Sequence, residues 1–145
     1  MIRRPPRSTP SNSSAASDVY KRQDVFRAGA AVAPVTDWRL YDTIYTERYI
    51  DHPEDNPNGY HDSSPVYFAD QLEGALFIAH GISDDNVHIQ NTYQVIDALL
   101  KAGKNYVFYA YPQKSHGIGG DKHRIHLYRS IVEFFEKELS LELVE

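Results

Sequence analysis

The chain has 145 residues, with 15 Lys and Arg against 20 Asp and Glu, a formal charge of −5 and no cysteine. That length suffices for one core. The lack of cysteine excludes disulfides, zinc-thiolate sites and cysteine nucleophiles, and the acidic remainder after residue 23, which has no basic patch, is a poor nucleic-acid binder. No apolar run approaches the length needed to span a bilayer.

Residues 1–23 read MIRRPPRSTPSNSSAASDVYKRQ. Back-translated, Met1 to Thr9 resembles a sequencing flow-cell oligonucleotide and Ser13 to Gln23 a transposase-type library adapter. Pro10, Ser11 and Asn12 fill the three codons where an index would lie. The segment is therefore expected to be translated adapter without order and to contribute nothing to the fold. The protein proper is expected to begin at Asp24, in mid-gene. Without Arg3, Arg4, Arg7, Lys21, Arg22 and Asp18, the basic and acidic counts fall to 10 and 19 and the charge to −9. There is no internal repeat.

From Asp24 onward the elements follow one another in order. Ala28 to Val35 is small and apolar and predicts a buried strand ended by Pro34. Trp38 to Ile50 carries Tyr41, Ile44, Tyr45 and Tyr49 at helical spacing and predicts a short aromatic-faced helix. Asp51 to Ser64, rich in Pro, Asn and Asp, reads as a surface loop. Val66 to Leu72 fits one or two helical turns with Phe68 and Leu72 inward. Ala75 to Ala79 predicts a second buried strand. Tyr93 to Ala102 predicts a helix with Ile96, Leu99 and Leu100 on its apolar face, stopped by Gly103. Tyr106 to Tyr111 predicts a third strand, ended by Pro112, and Gly117 to Gly120 a flexible loop. A last helix, from about Lys122 to Leu139, would face the sheet with Tyr128, Ile131, Val132, Phe135 and Leu139. The alternation implies an α/β fold with about three parallel strands and right-handed crossover helices.

Chemistry belongs at the carboxyl ends of such strands. The loop after the second strand reads His80-Gly81-Ile82-Ser83-Asp84-Asp85-Asn86-Val87-His88, and the loop after the third carries Ser115-His116-Gly117. An acid on one strand-end loop and a His on the next form the trailing half of an α/β-hydrolase triad, whose chain order is Ser, Asp, His. His116 would take a proton from a Ser hydroxyl and return it to a leaving amine. Asp84 would accept from the far ring nitrogen and stabilise the imidazolium. Asp85 is adjacent, and one of the two acids is expected to cap the following helix. No Gly-x-Ser-x-Gly motif occurs, and Ser83 lacks the second glycine. His80, His88, His123 and His126 have no metal-ligand spacing, so no metal is expected. Gly117 to Gly120 lacks the lysine of a phosphate cradle.

At this point a resemblance becomes specific. Residues 30–49, AAVAPVTDWRLYDTIYTERY, together with HGISDDNVH and SHG in the same order, resemble the catalytic domain of the dipeptidyl peptidase IV branch of the prolyl oligopeptidase family of serine peptidases. The likeness runs from Asp24 to about Leu139. It implies the C-terminal part of an α/β-hydrolase domain that follows a β-propeller, in an extracytoplasmic homodimer. The implied activity is removal of N-terminal dipeptides with Pro or Ala second, without a cofactor. By motif, Asp84 and His116 match the triad Asp and His. Val35, Trp38, Tyr41, Tyr45 and Val87 match the pocket for the proline ring, and Asn86 matches the residue that hydrogen-bonds a substrate carbonyl. An apolar, aromatic wall with few polar groups suits such a ring.

The family's elbow, Gly-Trp-Ser-Tyr-Gly-Gly, its oxyanion-hole Tyr and the acids that bind the substrate amino terminus have no match here and are expected upstream of Asp24. The chain alone is therefore expected to be inactive, and its open sheet edge prone to aggregation. Two alternatives remain. An acylpeptide hydrolase or esterase shares the His-Gly-x-x-Asp and late His but has no need of the Trp38 wall. A non-enzymatic homologue would have lost its Ser and would bind partners through its surface.

Overall fold

A computed structural model of the chain describes residues 26–139. The expected leader, residues 1–23, lies outside the described residues. Strands β1 (Ala28–Val32), β2 (Ala75–Gly81) and β3 (Val107–Tyr111) form a parallel sheet in the order β1-β2-β3. Ala30 pairs with Phe77, and Phe77 with Val107. The helices are α1 (Thr43–Ile50), α2 (Pro57–Ser63), α3 (Gln90–Lys101) and α4 (Asp121–Leu139), with 3-10 segments at Trp38–Leu40 and Pro65–Gln71. No helix among the described residues is long and apolar enough to cross a membrane.

β2 is the middle strand, buried from Leu76 through Gly81. A parallel strand covered on both faces has no solvent side, hence its unbroken apolar run. Its side chains alternate between two cores. Leu76 and Ile78 join Ala31, Ala69, Leu72, Val95 and Leu99 under α3 and the Pro65–Gln71 segment. Phe77 and Ala79 join Tyr111, Ile118, Leu127 and Phe134 under α4. The three strands and the α/β alternation are as the sequence predicts, and Gly103 ends α3 with a φ of +67°, a conformation glycine adopts without strain.

Several expectations are corrected. Trp38 to Ile50 is not one helix. Asp37 accepts from the Arg39 N–H and Asp42 from the Ile44 N–H, so two carboxylates each cap a separate start, with extended Tyr41 between. The aromatic face of α1 is not packed inward: Ile44 is 82% exposed, and the buried residue of the helix is Thr46. The loop expected over Asp51 to Ser64 contains α2, because Asn56 accepts from the Gly59 N–H and Pro57 supplies the first turn. On α3 the inward residues are Val95 and Leu99, while Leu100 is 61% exposed. α4 presents Leu127, Ser130 and Phe134 to the sheet, flanked by partly buried Ile131 and Phe135, and leaves Tyr128 and Val132 exposed. That is a rotation of about 100°, one residue, from the predicted stripe. The glycine loop after His116 is pinned by Ile118, which is fully buried.

Candidate active site

β2 and β3 stay paired to their ends, His80 with Ala110 and Gly81 with Tyr111, so both following loops leave the same edge of the sheet. Backbone bonds tie the loops together. The Ile82 N–H donates to the Tyr111 carbonyl at 3.0 Å and the Ser83 N–H to the Lys114 carbonyl at 2.9 Å. Close approach requires Gly81: a Cβ there would lie 2.6 Å from the Ser115 carbonyl oxygen and nearer still to that of Lys114. Gly81→Ala is accordingly expected to push the His116 loop outward and cost about 1–3 kcal/mol, the range for overpacking. Urea unfolding of the chain measures this, and an unchanged midpoint would contradict the crowding.

The loop pairing brings Asp84 and His116 together. His116 Nδ1 lies 2.9 Å from Asp84 Oδ2. The Asp84 side chain is fully buried and the ring 35% exposed. Asp84 Oδ1 accepts from the N–H groups of Asn86 at 3.0 Å and Val87 at 2.9 Å, a turn that an aspartate builds around its own carboxylate. A carboxylate accepting at Nδ1 fixes the proton there and leaves Nε2 as the ring's acceptor. Asp85 points elsewhere. Its Oδ1 accepts from the Ser115 hydroxyl at 2.8 Å, and that hydrogen bond holds its pKa below the usual carboxylate value. Neither acid caps α3, contrary to expectation. The helix starts after Ile89 with no side-chain cap, because the Asp84 carboxylate is consumed by its own loop.

Of the remaining predicted residues, Trp38, Tyr41 and Tyr45 form an aromatic wall in the segment after β1, which also holds Val35, while Asn86 and Val87 lie on the acid loop. Trp38 stacks on Tyr45, with ring centroids 6.2 Å apart, and Tyr41 meets both edge-on. Trp38 is held from behind. Its Nε1–H donates to the Ser63 carbonyl and its backbone N–H to the Ser64 hydroxyl, both at 3.1 Å. The Tyr41 hydroxyl donates to Asn86 Oδ1 at 3.3 Å and so joins the aromatic cluster to the acid loop. Val35 and Val87 are buried. Asn91, missed in the sequence, is fully buried and braces this wall. Its Oδ1 accepts from the N–H groups of Thr36 and Asp37, and its Nδ2 donates to the His88 carbonyl. It lies two residues before the predicted start of the helix, so no pattern in the sequence marked it.

Among the described residues no group of three or more His, Cys, Asp or Glu is placed to hold a metal. His80 is buried in hydrogen bonds, and His126 Nδ1 lies 2.9 Å from the Tyr111 hydroxyl. A cavity of about 780 Å³ opens at the opposite end of the sheet, by Ala75, Tyr106 and Phe134. It lies at the amino ends of β2 and β3, away from Asp84 and His116.

Known proteins resemble this chain in sequence and in fold. Dipeptidyl-aminopeptidase B of Aspergillus niger is 52% identical over 95 residues, which cover 64% of this chain and 10% of that protein. The crystal structure of Porphyromonas gingivalis dipeptidyl peptidase 4 superposes with a TM-score of 0.84 at 40% identity, over 88% of this chain and 18% of that one. The chain thus spans about a tenth of the length of the curated relatives it matches. Residues 14–142 match the prolyl oligopeptidase family, and the chain belongs to that family.

Proposed function

We propose that this chain supplies the acid and histidine of a serine dipeptidyl peptidase, as the C-terminal part of its catalytic domain. The observation that carries the reading is the 2.9 Å contact between the buried Asp84 carboxylate and His116 Nδ1. With Nδ1–H donated to Asp84, Nε2 of His116 takes the proton from a serine hydroxyl as that oxygen attacks the scissile carbonyl. His116 then passes the proton to the leaving amine. Asp84 keeps the tautomer and stabilises the transient imidazolium. The serine, the oxyanion donors and the groups that bind the substrate amino terminus come from sequence outside these residues.

The proposed substrate is a peptide with Pro or Ala second. Val35, Trp38, Tyr41, Tyr45 and Val87 would line the site for the proline ring. Asn86, whose Oδ1 accepts from Tyr41, would use its NH₂ group toward a substrate carbonyl. A preceding β-propeller and a homodimer belong to the same proposal, as does the origin of residues 1–23 as translated adapter.

Two measurements test this together. The chain alone should show no turnover of a Gly-Pro chromogenic substrate; turnover abolished by a Ser83 substitution would overturn the assignment. The parent gene, read upstream of the Asp24 codon, should contain Gly-x-Ser-x-Gly in frame, and its product should prefer dipeptidyl over simple ester substrates. Preference for esters would favour an esterase on the same fold, and an intact frame without that serine a binding protein.

A further inference from the structure

One buried titratable side chain beside Asp84 has no part in that chemistry. His80 lies near the end of β2 and is fully buried. Its Nε2 lies 2.8 Å from the Val87 carbonyl oxygen and 3.1 Å from Asp84 Oδ2, and its Nδ1 2.7 Å from Thr92 Oγ1. A carbonyl and a carboxylate only accept, so Nε2 carries the proton. Burial drives the ring's pKa below 6.5, against the opposing pull of Val87 and Asp84, in keeping with a neutral ring. Nδ1 then accepts from the Thr92 hydroxyl. Space filling alone would be met by an apolar side chain, without the cost of burying a polar ring.

Asp84 Oδ2 thus faces two imidazole N–H groups, that of His80 being shared with the closer Val87 carbonyl. One comes from a ring fixed on the central strand, the other from the half-exposed ring of His116. Its other oxygen is held by two backbone amides of its own loop. The last torsion of an aspartate is broad, so donors on one oxygen leave the carboxylate plane loosely set. A rigid donor on the second oxygen fixes it.

We propose that His80 is a positioning residue: its Nε2–H holds Asp84 Oδ2 in the plane that meets His116 Nδ1, and the Thr92 hydroxyl anchors the far side of the ring. This inference rests on reading Asp84 and His116 as the acid–histidine pair.

The test is ¹⁵N spectroscopy of the imidazole rings in the 145-residue chain, at a pH where the rings are neutral, so that chemical shifts report which nitrogen bears the proton. In the unaltered chain His116 should be mainly the Nδ1–H tautomer and His80 the Nε2–H tautomer. His80→Asn keeps an acceptor near the Nδ1 position but has no donor at Nε2, and should lower the Nδ1–H to Nε2–H ratio at His116 several-fold. His80→Gln places an amide N–H near the Nε2 position and should restore most of it. Equal ratios in all three chains would overturn the proposal, as would equal loss in both variants, which would mark His80 as packing alone. Should His80→Asn fail to fold, His80→Leu, close in volume and without a donor, decides. It should lower the His116 ratio, and an unchanged His116 would overturn the proposal. If the unaltered chain shows no Nδ1–H preference at His116, the pair itself is not formed and the functional reading falls with it.

Discussion

Asp84→Asn, made in the complete polypeptide that carries this segment, should lower kcat about 10⁴-fold, the loss expected when the acid of such a triad can no longer hold the histidine tautomer. The cause lies in the donors around the carboxylate. Asp84 accepts from His116 and His80 on one oxygen and from the Asn86 and Val87 amides on the other. An asparagine accepts on one side only. If its oxygen faces the amides, its NH₂ confronts two imidazole N–H groups and His116 turns to the wrong tautomer. If its oxygen faces the rings, the Asn86 and Val87 amides lose their shared acceptor, each buried unsatisfied donor costing about 1–3 kcal/mol. KM should change little, because Asp84 is buried behind His116 and does not face substrate. Steady-state kinetics with a Gly-Pro substrate decides it. A loss smaller than about tenfold, far below what removing a triad acid costs, would mean that Asp84 is a loop residue rather than the triad acid. Asp85→Asn is the internal control, since Asp85 contacts Ser115 and not the ring.

Phe77→Ala should unfold the chain or bring it close to unfolding. Phe77 is fully buried at the middle of β2, with β1 on one side and β3 on the other. Its ring lies 5.4 Å from that of Tyr109 and 5.5 Å from that of Phe134, so it joins the sheet to α4. Truncating a buried Phe to Ala costs about 3–5 kcal/mol, a large share of the roughly 5–15 kcal/mol that holds a typical domain together. Leu100→Ala and Ile44→Ala, both at exposed positions, should change stability by no more than about 0.5 kcal/mol. Urea denaturation of the three variants measures the difference. A Phe77 variant as stable as the Leu100 variant would show that the α4 core does not hold the sheet.

The residues of the sequence by themselves determined the strands, their parallel direction and the succession of an acid loop and a histidine loop. These features are local. Apolar runs bounded by proline and glycine mark buried strands, and parallel strands place successive loops at one edge. The wall of Trp38, Tyr41 and Tyr45 was legible only through family likeness, since the same aromatics at helical spacing equally suit a packed face. Only the tertiary structure decided which face each helix turns inward. Periodicity says which residues share a stripe, yet Leu127 and Tyr128 are one residue apart, and the contour of the sheet selects between their stripes. The helix at Pro57–Ser63 was hidden because Asn followed by Pro signals a loop as readily as a helix start. Between Asp84 and Asp85 only the family resemblance chooses. They differ in direction because Asp84 turns inward to the amides of its own loop while Asp85 meets Ser115 across the gap. The roles of His80 and Asn91 were hidden for the same reason. Their partners Thr92 and Thr36 lie 12 and 55 residues away, and hydrogen bonds over such separations exist only once the crossovers have packed.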